Sequence, residues 1–318
     1  MTLRPSPDWP VAIVRLLPLW LLFLAVGCSS TNSSEPRLPP LPVDGQVDIQ
    51  RELPESTGEL LVEVDSLLRS WNKTKLEVQR DNGRKQRALE AELERIVAWR
   101  FEDLAGELEF GPPRNRQIAA LALGFAEDPA ALGVLLARLN DDREPVVQNA
   151  LLGLGVLADP ATPVESLLRP LKRSSDSITR NNAVFALLRL IEIDEDGSFG
   201  TEDTIDTLRS ALRDPEPGVR AQAAAAMQAV GTGAELEDLN DRLHDPQTLV
   251  ASAALRAIGE IGRREDTTRG RAARMIFESW TKSSGSLRSA AHFEMLLLSE
   301  GRDYGDEADW RDWAYRLP

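Results

Sequence analysis

Cysteine is all but missing from this chain. A single thiol, Cys28, in 318 residues excludes an intrachain disulfide and every metal site built from several cysteines. Histidine is nearly as scarce. His244 and His292 exclude a three-histidine site and leave little room for imidazole catalysis. Aromatic residues make up 5%, and none of the seven tryptophans falls between Trp99 and Trp280, so the core of the middle must be aliphatic. Positive charge is also short: 37 Lys+Arg against 51 Asp+Glu leave a net charge of −14. That excludes a binder of nucleic-acid backbones, which needs surplus cations to displace counterions. Only five of the basic residues are lysine, and the arginine bias reads as a coding preference rather than as chemistry. There is no glycine-rich phosphate loop and no Gly-x-Ser-x-Gly elbow. The apolar run near the start, Leu16 to Val26, is 11 residues long. At about 1.5 Å per residue it is too short to cross a bilayer core of ~30 Å as a helix.

What that run does suit is the centre of a secretory signal, with Arg4 and Arg15 before it and small residues after it. It ends Ala25-Val26-Gly27-Cys28-Ser29, which resembles the lipobox of bacterial lipoproteins. Ala25 departs from the commoner leucine, although Leu24 stands one place earlier. The resemblance implies cleavage before Cys28, a diacylglyceryl group on its thiol and acylation (palmitate or a like chain) of the new amino end. Each buried methylene contributes about 0.8 kcal/mol, so two or three chains give a stable anchor. Ser29 in place of an aspartate implies transfer to the outer membrane in a two-membrane cell. Residues 29–55 are polar and then proline-rich, without helical or alternating period. As a coil they would span about 30 Å, and about 80 Å if extended, holding a folded part clear of a membrane.

A helical segment is expected next. Ser56-Thr57-Gly58-Glu59 has the spacing of a capping box. Leu61, Val64, Leu68, Trp71 and Val78 make one apolar stripe, Asp81-Asn82-Gly83 a break, and Leu89 to Leu108 a second stripe. Two antiparallel helices or one long bent helix would both account for this.

The centre repeats itself. Segments starting at Asn115, Val146, Thr179, Val219 and Val250 share a register. Four residues on, each has alanine: 119, 150, 183, 223 and 254. Seven on stand Ala122, Gly153, Ala186, Ala226 and Ala257; eight on stand Leu123, Leu154, Leu187, Met227 and Ile258. Offsets 0, 4, 7, 8 and 11 share one side of a helix, and small residues among them let neighbouring helices approach. A weaker sixth unit begins at Leu287. A second helix follows in each of the first four units, marked by Leu139, Leu171, Leu212 and Leu243. Asp-Pro pairs at 128–129, 159–160, 214–215 and 245–246 separate helical stretches, with aspartate as cap and proline suited to a first turn.

Val219-Arg220-Ala221-Gln222-Ala223-Ala224-Ala225-Ala226-Met227-Gln228-Ala229-Val230-Gly231 is the unit closest to the pattern Val-Arg-x-x-Ala-x-x-Ala-Leu-Gly-x-x-Gly. It resembles the short bacterial HEAT repeats of the phycobilin-lyase-like type. The resemblance implies an all-α fold, a right-handed α-solenoid of about five to six helical hairpins, each burying its apolar side on its neighbours. Some enzymes share the architecture. Deoxyhypusine hydroxylase carries iron on His-Glu pairs, but here His244 precedes Asp245 and His292 precedes Phe293, so that activity is rejected. A lyase-like enzyme with a site between the repeats and the helices before them remains the alternative. The acidic stretch Asp194 to Gly200 places glycine two residues too early for a twelve-residue calcium loop and reads as a surface loop. Both histidines read as structural.

At the end, Trp310 and Trp313 share a helical side, suited to a lid over the last layer or to an aromatic contact for a partner. Trp99 and Phe101 are placed to close the other end. The expected organisation is a signal at 1–27, a tether at 28–55, a helical segment at 56–111, repeats at 112–300 and a cap at 301–318. The expected role is a non-enzymatic, lipid-anchored scaffold in the cell envelope. Protein partners are expected, with no cofactor, metal or nucleic acid; Cys28 is the lipid site and Trp310 and Trp313 are candidate partner contacts.

Overall fold

A computed structural model describes residues 56–76 and 82–318. The signal segment, Cys28 and the tether lie outside them. The described residues form fifteen α-helices and no strand. In chain order these are α1 (Thr57–Leu76), α2 (Asn82–Trp99), α3 (Phe101–Phe110), α4 (Pro113–Ala122), α5 (Ala130–Ala137), α6 (Glu144–Leu157), α7 (Glu165–Arg173) and α8 (Ser177–Ile193). Then follow α9 (Glu202–Ala211), α10 (Pro217–Val230), α11 (Leu236–Arg242), α12 (Thr248–Arg264), α13 (Arg269–Lys282), α14 (Gly285–Leu298) and α15 (Glu307–Arg316).

The architecture is an α-solenoid. The six helices that carry the repeated register, α4, α6, α8, α10, α12 and α14, form one row, each packed on the next. The shorter helices lie alongside, and α6, α8 and α10 each pack on the short helix that precedes them rather than on the one that follows. The structural hairpin is therefore offset by one helix from the unit read in the sequence. The registered alanines and the leucines beside them are buried throughout. Each such leucine contributes about 1.5–3 kcal/mol of burial. Close approach sets the layer spacing. A Cβ on Gly153 would lie 2.5 Å from the Ala120 carbonyl oxygen, and one on Gly124 would lie 2.7 Å from that of Gly153. No side chain fits there, because backbone faces backbone.

The segment before the row differs from expectation in one respect. The described residues between 57 and 110 form three helices, since the helix breaks at Arg100 between α2 and α3 although the apolar stripe runs on across it. α1 and α2 pack together, and the Trp71 indole donates to Glu90 at 2.9 Å. The capping box forms as read: the Glu59 amide donates to Ser56 Oγ, and the Ser56 amide donates to Glu59 Oε2, both at 3.2 Å. The amino-terminal end is closed by Trp71, whose ring meets Phe125 edge-on at 5.2 Å. Trp99 does not serve there. It is 74% exposed at the end of α2, where the break turns it outward, while Phe101 packs against the core.

Candidate interaction surface

Two ladders tie the row together, and both use side chains at fixed register positions. The first is ionic. Arg180 and Arg220 stand one residue after the start of their units and reach forward to the loop before the next registered helix. Arg180 Nε lies 2.7 Å from Asp214 and Arg220 Nε 2.7 Å from Asp245, with a second bond at 2.9 Å in each pair. Arg116, at the same offset, reaches Asp141 at 2.9 Å and Asp142 at 2.6 Å through a single nitrogen, and at the layer between them Gln148, at the second offset, donates to Asp176 at 2.9 Å. The two-pronged fork of arginine fits a carboxylate, so the Arg180 and Arg220 rungs also fix orientation. The aspartates do a second task. Asp141, Asp214 and Asp245 each accept the backbone N–H two residues on, and Asp176 caps α8 through the Thr179 amide. Burial alone would raise the Asp245 carboxyl. The bonds from Arg220 and the Gln247 amide, with the charges of Arg220 and Arg242, outweigh it and hold that carboxyl below its usual range.

The second ladder is neutral. Asn149 and Asn182, three residues after their unit starts, donate to the backbone carbonyls of Gln117 and Gln148 one layer back, at 2.8 and 2.9 Å. Gln222 holds the same position and donates to Asn181 Oδ1 at 2.8 Å. Sequence reading located Asp214 and Asp245 but missed both ladders. The signal was present as Arg or an amide recurring at offsets 1 and 3.

The carboxy-terminal end is built differently. Trp310 is 0% exposed and lies edge-on to Tyr304, Trp313 and His292 at centroid distances of 5.0, 5.3 and 5.7 Å. His292 stacks on Trp280, and the Arg288 guanidinium sits 4.3 Å above the same indole. Of the two residues read as a lid or as partner contacts, Trp310 is fully enclosed. Its indole packs among the rings of Tyr304, Trp313 and His292, with Nε1 buried and without a hydrogen-bond partner among the described residues. Trp313 is half-buried and stacks on Tyr304; both line a cavity of about 480 Å³ with Arg302, Asp309 and Arg316. His244 is exposed.

The large apolar side chains left open are elsewhere. They include Phe293 and Leu297 on α14, and Trp99 and Phe110 at the ends of α2 and α3. Beneath α14 lies a charged cluster. Glu294 is buried, and Arg263 donates to it at 2.8 Å while pairing with Glu260 at 2.7 Å. Burial drives the Glu294 carboxyl above its usual range, and the bond from Arg263 with the charges of Arg263 and Arg256 only partly offsets this. Among the described residues no group of three or more His, Cys, Asp or Glu is arranged to hold a metal ion. In the acidic loop, Asp194 spends its carboxylate on the Phe199 amide at 2.7 Å and on Ser198 at 3.1 Å. No described helix is long and apolar enough to cross a membrane.

Similarity to known proteins agrees with this geometry. Residues 164–259 match the model of HEAT repeats. No curated protein matches the chain. Among solved structures it is similar to Kap121p at 14% identity and a TM-score of 0.56, over 75% of this chain and 28% of that one. It is also similar to Kap95p, described with RanGDP, at 16% identity and a TM-score of 0.53, over 79% and 38% of the two chains. The chain thus spans well under half the length of either. At these identities the likeness is one of fold, an α-solenoid whose residues 164–259 match HEAT repeats.

Proposed function

We propose that this protein is a non-enzymatic interaction scaffold held at a bacterial cell envelope by lipid on Cys28. The observation that carries the scaffold half is where the polar side chains go. Along the row the arginines at the first offset, the aspartates they meet and the amides at the third offset are consumed in joining one layer to the next, which leaves an elongated surface and no convergent set of reactive groups among the described residues. The anchoring half rests on the lipobox-like Ala25-Val26-Gly27-Cys28 and on a tether of residues 29–55 long enough to hold the solenoid off a membrane. Protein binding by a related architecture is exemplified by Kap95p, whose binding to RanGDP is described.

Full-length protein and Cys28→Ala, expressed in a bacterial host, test the anchor. The expected outcome is palmitate incorporation and membrane sedimentation of the first, and release of the second to the soluble fraction. Equal membrane retention of both would contradict it. Affinity capture from detergent-solubilised envelopes, read by mass spectrometry, tests the scaffold; recovery of no specific protein would count against it.

A further inference from the structure

One strip of the row has a different character at each end. The sixth and tenth residues after a unit start fall on the side of the helix turned away from offsets 4, 8 and 11. Layer by layer the pairs are Leu121 and Phe125, Leu152 and Val156, Phe185 and Arg189, Ala225 and Ala229, Arg256 and Glu260, then Phe293 and Leu297. At the first layer Trp71 of α1 packs against Phe125, so an apolar group already occupies the strip there. At the last layer Phe293 is 58% exposed and Leu297 is 39% exposed, with no such cover.

Charge along the strip points the same way. Arg189 is paired with Glu192, and Arg263 with both Glu260 and Glu294. Arg256 stands between these pairs, one layer before Phe293 at the same register position, and makes no hydrogen bond or ion pair among the described residues. It is half-buried. Burial disfavours its cation, and the charge of Glu294 offsets only part of that cost. Arginine stays protonated all the same. A partly desolvated guanidinium that feels Glu294 only at a distance, with no hydrogen bond to its nitrogens among the described residues, is completed by an incoming carboxylate. The charge of Glu294, which reaches Arg256, favours a single carboxylate over a polyanion such as a phosphate chain.

Resting on the scaffold reading above, we propose that α12 and α14 form a docking site for an acidic–apolar segment of a partner protein. A carboxylate of that segment sits on Arg256, and an apolar side chain beside it covers Phe293 and Leu297.

The test uses the full-length protein and an array of random-sequence synthetic dodecapeptides. The wild type is expected to enrich peptides carrying Asp or Glu next to Leu, Ile or Phe. Arg256→Glu should weaken those peptides about tenfold or more and select Lys or Arg at the same position. Arg256→Gln should lose the acidic preference without gaining a basic one. Phe293→Ser with Leu297→Ser should weaken binding about tenfold while circular dichroism stays unchanged. Enriched peptides without an acid, or with affinity untouched by Arg256→Glu, would overturn the site. If peptides of another chemistry are selected, the site falls and the scaffold reading stands. If none is selected, the site falls as well, and envelope capture decides the scaffold reading separately.

Discussion

The middle of the row and its last layer are made of the same helix register yet use charge in opposite ways. Between α8 and α12 every arginine at the first offset meets an aspartate of the next layer, and that aspartate also holds a turn. At α12 the first offset is Ala251, so no such rung reaches α14. The charges shift instead to Arg256, Glu260, Arg263 and Glu294, and they are unevenly matched. Regular charge in a repeat is a fastener. Charge that leaves the register without a partner is available for something outside the chain.

The contrast is breakable by substitution. The largest loss is expected at the carboxy-terminal end: Trp310→Ala should cost about 3–5 kcal/mol, read by chemical denaturation, because an enclosed indole leaves a large cavity. Next comes the ladder. Arg220→Ala leaves Asp245 buried without its cation and should cost about 3 kcal/mol. Gly153→Ala should cost about 1–3 kcal/mol, since its methyl would press on the Ala120 carbonyl. A smaller effect is expected from acid. Asp141, Asp176, Asp245 and Glu235 all titrate below their ordinary values in the folded state. Their stabilisation is present above the unfolded carboxylate range of about pH 4 and is lost as pH falls through the lower folded values. Glu294, raised in the fold, works the other way across its own range. A melting series from pH 7 to pH 3 should therefore fall steeply at the acid end, and less so in Asp245→Asn. The smallest effect is expected at Arg256→Ala, within about 0.5 kcal/mol of wild type, because no bond is broken.

The fold was legible in the sequence because a layered repeat writes its core pattern several times over, so Ala119, Ala150, Ala183, Ala223 and Ala254 reinforce one another. The helix break at Arg100 was not legible, because the apolar stripe continues in phase across it from Leu93 to Leu104. Nor was the hairpin offset, since which of two flanking helices packs closer is settled by tertiary contact and not by period. The Asp-Pro pairs were half legible. Asp128, Asp159, Asp214 and Asp245 each accept the amide two residues on, but their prolines lie in the turn before the helix and not in its first turn. The surface was least legible. Trp310 and Trp313 share a helical side, yet the first is enclosed by Tyr304 and His292, which come from outside α15. Nothing in the sequence marked Phe293 as open, since its exposure depends on what the neighbouring layer leaves uncovered.

Setting Arg220→Ala beside Arg256→Gln tests the division between fastening and docking charges most directly. Both full-length variants would be measured for unfolding midpoint and for binding to the peptide array. The account predicts that Arg220→Ala melts well below wild type and keeps the wild-type peptide preference where it is folded. Arg256→Gln should melt with wild type and lose that preference. The reverse pattern, a destabilised Arg256→Gln with unaltered peptide selection, would contradict it.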